Sequence, residues 1–407
     1  MLHERAWDRS AADIELDIVA AIAEIPNADP TATLLDALSE GIPTDFSVGH
    51  ILAAAPSKEI EDVLVAQLSG PNSRALLGYL LGCEERSPGA FDRFVDDVDI
   101  EDVLKLSLTT QGPRTERAVE RVAELLPRMT VAAGARGVFF WARDLGVERV
   151  AEIYVGDWVE RVETQEDYNA LVDFVAMQLY KRNERSDAVE NLILRVVALR
   201  VAFPRVGQQS YDWEQLAGRL VEGHAAQLVD LFIELVEDDG LRIFSDDRRG
   251  DLFRDAVEAA GPEAWRSILD LIDAGGSFRL RFRSRGWIAG IATREVAANW
   301  VGDSLDRART LASVASVTGT QLSPIVKLLI NGFGQDSRVR SALVGDFLSG
   351  SWIGNESARI ERQISQIRNW VSDPSSTDAE KAFCRSLIEG LTDSLGRVVE
   401  QEQEEDW

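Results

Sequence analysis

Four arginines in seven residues, Arg279, Arg281, Arg283 and Arg285, alternate with Phe278, Leu280 and Phe282 and are followed by Trp287. Guanidinium groups at that density can grip phosphates or carboxylates through paired N–H donors, and interleaved aromatic rings can stack on bases or pack beneath the cations. From Ser277 to Arg309 there are seven arginines against three carboxylates, Glu295, Asp303 and Asp306, an island of positive charge in a chain of formal net charge −26. So acidic a chain repels nucleic acid and anionic membranes wherever no such island intervenes. Two readings follow for Arg279–Arg285: a ridge that binds nucleic acid or an acidic protein, or cations paired with neighbouring carboxylates above buried Phe and Trp.

A second pattern is Arg219-Leu-Val-Glu-Gly-His224, an arginine and a histidine separated by four residues. It resembles the minimal R-x(4–6)-H spelling of HEPN-type ribonucleases. That resemblance implies an acid/base histidine, Arg219 stabilising the phosphorane, and a pair assembled from two subunits. The residue after the arginine is usually polar in that family and here is Leu220, while Gly223 weakens a helix where the geometry must be held.

Other chemistries lack their residues. The three histidines, His3, His50 and His224, and the two cysteines, Cys83 and Cys384, show no metal-ligand spacing, so no metal site is expected. There is no G-x-x-x-x-G-K-[ST] phosphate loop and no G-x-S-x-G nucleophile elbow. None of the five lysines (Lys58, Lys105, Lys181, Lys327, Lys381) follows an acidic residue at the spacing of D…[DE]-x-K nucleases. No cofactor is implied, and a non-enzymatic role is the expectation.

The elements that must position these residues read almost throughout with helical period. In 187–203 the apolar stripe is Val189, Leu192, Ile193, Val196, Val197 and Phe203, with Ser186 at the N-cap and Pro204 at the stop. The run 113–126 carries Val119, Val122, Leu125 and Leu126 behind Gly112-Pro113. Thr377-Asp378-Ala379-Glu380 spells a capping box ahead of Phe383, Leu387, Ile388, Leu391 and Leu395. Ser323-Pro324 opens a helix that Gly332 closes, and a second helix with Val339, Leu343 and Phe347 follows the turn and ends at Gly350. Period-two alternation is clear only in Phe278–Arg283, too isolated for a sheet. Gly and Pro punctuation every 14–24 residues or so suggests antiparallel helical hairpins. The fold class expected is all-α, an α-solenoid of degenerate HEAT-like hairpins forming a continuous array over 1–400, with possible halves 1–204 and 205–400 and an acidic, frayed tail 401–407.

The segment Leu322–Asp373 adds G-x-W-x-G (Gly350, Trp352, Gly354) between two helices, with Trp370 in the second. It resembles HEAT-like helical-repeat regions of prokaryotic anti-phage and NTPase-associated proteins. The resemblance implies a sensor or scaffold region that works beside an NTPase or nuclease, and no motif of such an effector occurs in these 407 residues. Read structurally, the glycines permit a tight turn and Trp352 plugs the gap between hairpins, which is what an end-cap requires.

Composition bounds the setting. At 407 residues the chain exceeds one ordinary core, and 45% hydrophobic content is enough to pack a large one. Excess carboxylate with scarce lysine fits a halophilic cytosol, and equally a GC-rich genome that favours arginine codons. No basic stretch leading into an apolar run opens the chain, and the uncharged stretch Thr310–Val326 is rich in Ser, Thr and Gln and contains a Pro, so a cytoplasmic location without membrane contact is expected. High salt weakens phosphate contacts, which favours a protein partner over nucleic acid.

Overall fold

A computed structural model describes residues 17–22, 29–39, 46–68, 73–180, 186–203, 210–239, 247–275, 278–317, 322–348 and 356–405. Among them every regular element is helical and no strand occurs, so the chain is all-α. None of these helices is long and apolar enough to cross a membrane. Two compact units divide the chain, Met1–Leu192 and Ile193–Trp407.

In the first unit the helix Phe46–Leu52 lies against Ser73–Arg86. Glycine sets how closely they approach: a Cβ on Gly49 would sit 1.7 Å from the Ala75 carbonyl oxygen, and one on Gly78 2.0 Å from that of Phe46. Leu52, Leu76, Tyr79 and Leu80 fill the core beside this crossing. Further along, Asp102–Gln111 packs on Glu116–Leu125 and on Val131–Gly137, which in turn packs on Gln165–Val175. Asp167 is buried and binds two elements: its carboxylate accepts from the Ala132 amide at 2.8 Å and from the Thr164 hydroxyl at 2.8 Å.

The helix expected over 113–126 spans Glu116–Leu125, with Thr115 as its N-cap. Val122, Leu125 and Leu126 are buried as the spacing requires, but Val119 is 51% exposed and Arg121 is only 2% exposed. Arg121 is stabilised there by carboxylates: its Nε donates to Asp96 at 2.9 Å and its Nη2 to Asp92 at 3.1 Å. Arg117 approaches the same Asp96 at 2.9 Å. Burial pushes the Asp96 carboxyl upward, but hydrogen bonds from Arg117 and Arg121 outweigh it and hold its pKa at about 2.

The helix Asp187–Ala198 begins at Ser186, whose Oγ accepts from the Val189 amide at 3.4 Å, and Val189, Ile193, Val196 and Val197 are buried. Pro204 lies outside the described residues. In the second unit Ser210–Asp239 packs on Asp247–Ala260 over the rings of Trp213, Phe232 and Phe253. Ser323 caps Pro324–Phe333, accepting from the Val326 amide at 3.2 Å; this helix runs one residue beyond the expected stop at Gly332.

The next helix, Ser337–Leu348, packs chiefly on Leu305–Val314 rather than on its sequence neighbour, a departure from simple hairpin pairing. Asp336 provides the reason. One of its oxygens accepts from the amides of Arg338 and Val339 at 3.0 Å each, and the other takes the Arg309 guanidinium at 2.8 Å. The Arg309 hydrogen bond, reinforced by the Val339 amide, holds the Asp336 carboxyl at about 2.

The capping box forms as spelled: the Glu380 amide donates to Thr377 Oγ1 at 3.2 Å and the Thr377 amide to Glu380 Oε2 at 3.3 Å. Glu380 is buried and its other oxygen accepts from Asn331 at 2.6 Å, tying Asp378–Glu405 to Pro324–Phe333. Glu380→Ala should therefore cost about 1–2 kcal/mol, because the Thr377 amide and the Asn331 side chain both lose their acceptor. Glu380→Gln keeps an acceptor oxygen and should cost less; urea unfolding of both variants makes the comparison. The helix Asp378–Glu405 continues through 401–405, so the acidic end is helical rather than frayed as far as Glu405. Its backbone bonds extend one residue at a time, which is easier than starting a new helix.

Candidate functional site

The segment with alternating character folds as a short helix, Phe278–Ser284, rather than as extended chain. Helical turning of about 100° per residue separates alternate positions by about 200°, so four alternate arginines do not form a single row. What the helix buries is Leu280 and Ser284, at i and i+4. It packs on Ser210–Asp239, Pro262–Asp273 and Leu305–Val314. Gly286, in the left-handed region at φ 87°, turns the chain, and its amide donates to the Val314 carbonyl at 2.9 Å. Trp287 then packs edge-on against Phe253, with ring centroids 5.3 Å apart.

On the outside, Phe278 is 77% and Phe282 49% exposed, and their rings stack at 6.2 Å. Arg279 is exposed; Arg281 and Arg285 are half-buried. Arg281 Nε has no hydrogen-bond partner among the described residues, and the Arg283 side chain is outside them. Two other arginines of the basic island are taken up locally. Arg307 covers the Trp300 ring at 5.2 Å and lies 3.8 Å from Asp270, while Arg309 pairs with Asp306 and Asp336. The face thus combines an exposed aromatic pair with guanidinium groups.

Arg219 and Leu220 are buried on one arm of Ser210–Asp239, and His224 is the point where that helix kinks, at φ −129° and ψ 28°. The kink follows Gly223, the weak point of the run. Of the C-terminal motif, Gly350, Trp352 and Gly354 lie outside the described residues; Trp370 is buried in Glu356–Ser372, its carbonyl accepting from the Ser376 hydroxyl at 3.1 Å. Among the described residues no three His, Cys, Asp or Glu side chains converge as a metal site.

Sequence reasoning missed a cavity of about 510 Å³ in the first unit. Its walls come from Glu116–Leu125, the one-turn segment Trp141–Asp144 and the helical run 147–161, which widens into a π-helical turn at Ala151–Val155. Arg114 lies over the Trp141 ring at 4.5 Å and also donates to the Trp141 carbonyl. Tyr154 stacks on Trp158 at 5.6 Å, and burial pushes its phenol upward against the pull of a Trp141 hydrogen bond and the charges of Arg114 and Arg149. No spacing in the sequence joins 114–127 to 141–158, so the cavity leaves no local signal there. No known family model, curated protein or solved structure matches the chain.

Proposed function

We propose that the protein is a non-enzymatic helical scaffold or sensor that binds a partner protein through the 278–287 face of its second unit. The observation that carries this reading is the exposed, stacked Phe278–Phe282 pair set among arginines. Aromatic and arginine side chains are the residues most enriched where binding energy concentrates, and exposed large rings are otherwise disfavoured on a soluble surface. The partner it fits is a protein whose carboxylates meet Arg279, Arg281, Arg283 and Arg285 and whose apolar side chain covers the phenyl rings. Charge supports that occupant, since the rest of a chain at net −26 repels acidic molecules and leaves the basic island as their place of approach.

The resemblance of Leu322–Asp373 to repeat regions of anti-phage proteins supports a role in prokaryotic defence, with a separately encoded effector. A HEAT-like array of helical hairpins in the cytoplasm would suit that role, since stacked hairpins offer long recognition surfaces.

The test begins with affinity capture of the tagged chain at native salt, with and without nuclease, followed by binding of the purified partner. Phe278→Asp should weaken that binding roughly 30-fold, the equivalent of one hot spot of about 2 kcal/mol. Replacing the four arginines together by Ala should abolish binding while helicity is retained. Unchanged affinity in both variants would make the face structural. Captured material that disappears with nuclease would replace the protein partner by nucleic acid.

A further inference from the structure

The cavity in the first unit carries an inference independent of the partner face. It is about 510 Å³, within the range of roughly 300–1,000 Å³ typical of small-molecule sites. Two segments supply its apolar walls. From 119–127 come Val119, Ala123 and Pro127, all exposed, with Val122 and Leu126 buried beside them. From the helical run 147–161 come Ile153, exposed, and Trp158, buried. Concave apolar surface of this kind stays in water unless something covers it. A π-helical turn, Ala151–Val155, supplies Ile153, and such turns recur at functional sites.

The charged groups of the wall are engaged by the protein or by water. Asp157 pairs with Arg161 at 2.8 Å, and Arg161 also donates to the Met129 carbonyl at 2.6 Å, so that ion pair belongs to the frame. Arg114 lies over the Trp141 ring at 4.5 Å and donates to the Trp141 carbonyl. Arg149 is exposed, where water hydrates it. An ionised ligand would give up its own hydration against Val, Leu, Ile and indole surface. A peptide would bring backbone amides and carbonyls that such a wall leaves unpaired. An uncharged apolar molecule suffers neither loss, and it replaces water that has few polar partners there.

We propose that this cavity binds an uncharged, apolar small molecule, its body held between Val119, Val122 and Leu126 on one side and Ile153 and Trp158 on the other. Selection rests on shape and on desolvation. Adding one ionised group to the same body lowers its affinity, because the ion leaves water for an apolar wall.

Two fluorescent probes share one anilinonaphthalene body: N-phenyl-1-naphthylamine is uncharged, and 8-anilinonaphthalene-1-sulfonate carries a sulfonate. Both brighten in apolar surroundings, so each is titrated directly against the full chain. The uncharged dye should bind about tenfold more tightly or better. That ratio should hold in about 1 M KCl, where a Debye length of about 3 Å removes the general repulsion of an anion by a chain of net charge −26. Val119→Trp, at an exposed position, should fill the mouth and weaken the uncharged dye about tenfold. Ile153→Asp, which sets a carboxylate on the opposite rim, should weaken it similarly. Circular dichroism and thermal melting establish that each variant is folded. A sulfonate dye that binds as tightly as the uncharged one at high salt overturns the ligand class. Absence of binding by the uncharged dye, or binding that survives both variants, overturns the site. Binding that is lost instead in Phe278→Asp would lie at the aromatic pair of the second unit, and it overturns the site as well.

Discussion

Gly78→Ala is expected to lower the unfolding free energy of the first unit by about 3 kcal/mol, the high side of an overpacking loss. The sign is the informative part. At an open helical position the same change stabilises by roughly 0.5–1 kcal/mol, because Ala loses less backbone entropy than Gly. At Gly78 the new methyl would lie 2.0 Å from the Phe46 carbonyl oxygen and 3.2 Å from the His50 amide nitrogen, atoms of a neighbouring backbone that cannot rotate away. Gly390, helical with nothing within 4 Å of an added Cβ, is the matched control and should show the stabilising sign. Urea unfolding of Gly78→Ala and Gly390→Ala gives the two signs directly. A stabilised Gly78→Ala would mean that the two helices are not in contact through their backbones.

Arg121→Leu is expected to cost about 3 kcal/mol, the low end for breaking a buried ion pair, because Asp92 loses its guanidinium while Asp96 keeps that of Arg117. The Arg121 guanidinium now reaches Asp92 and Asp96 at 3.1 and 2.9 Å. Acid should reveal the same network. The folded-state pKa of Asp96 is depressed from 3.8 to about 2, so its contribution is complete above the ordinary carboxylate value and is lost as pH falls toward 2. In Arg121→Leu that pKa moves back up and the dependence on acid becomes shallower. Denaturant unfolding of wild type and variant across that range reads both effects, and parallel pH profiles would show that Arg121 does not hold Asp96.

The parts of the fold legible in the sequence are those whose cause is local. Ser186, Ser323 and the Thr377–Glu380 box each lie three residues from the amide they cap, so spacing alone identifies them. Apolar stripes behind those caps are buried for the same reason. Gly49 and Gly78 are different: their requirement for glycine comes from a helix crossing between segments far apart in the chain, and nothing local distinguishes them from other glycines. Arg121 occupies a slot in its helix that a periodicity argument assigns to solvent; carboxylates from another helix make burial tolerable. Val119 belongs to the apolar stripe by spacing, yet it borders a cavity whose other side comes from 141–158.

At the candidate site the residue types were legible and the arrangement was not. Alternation in Phe278–Arg283 suggests two faces of an extended strand, but with no neighbouring strand to pair with, the backbone satisfies itself in a helix. Leu280 and Ser284 then turn inward, and Phe278 and Phe282 stack outside. The aromatic pair, not the arginine spacing, becomes the feature most in need of a partner.

Hydrogen–deuterium exchange of the purified protein with and without its captured partner tests that reading most directly. Added protection concentrated in peptides covering 278–287, and lost with Phe278→Asp, is the expected result. Protection confined to peptides elsewhere in the chain, with 278–287 exchanging as in the free protein, would contradict it.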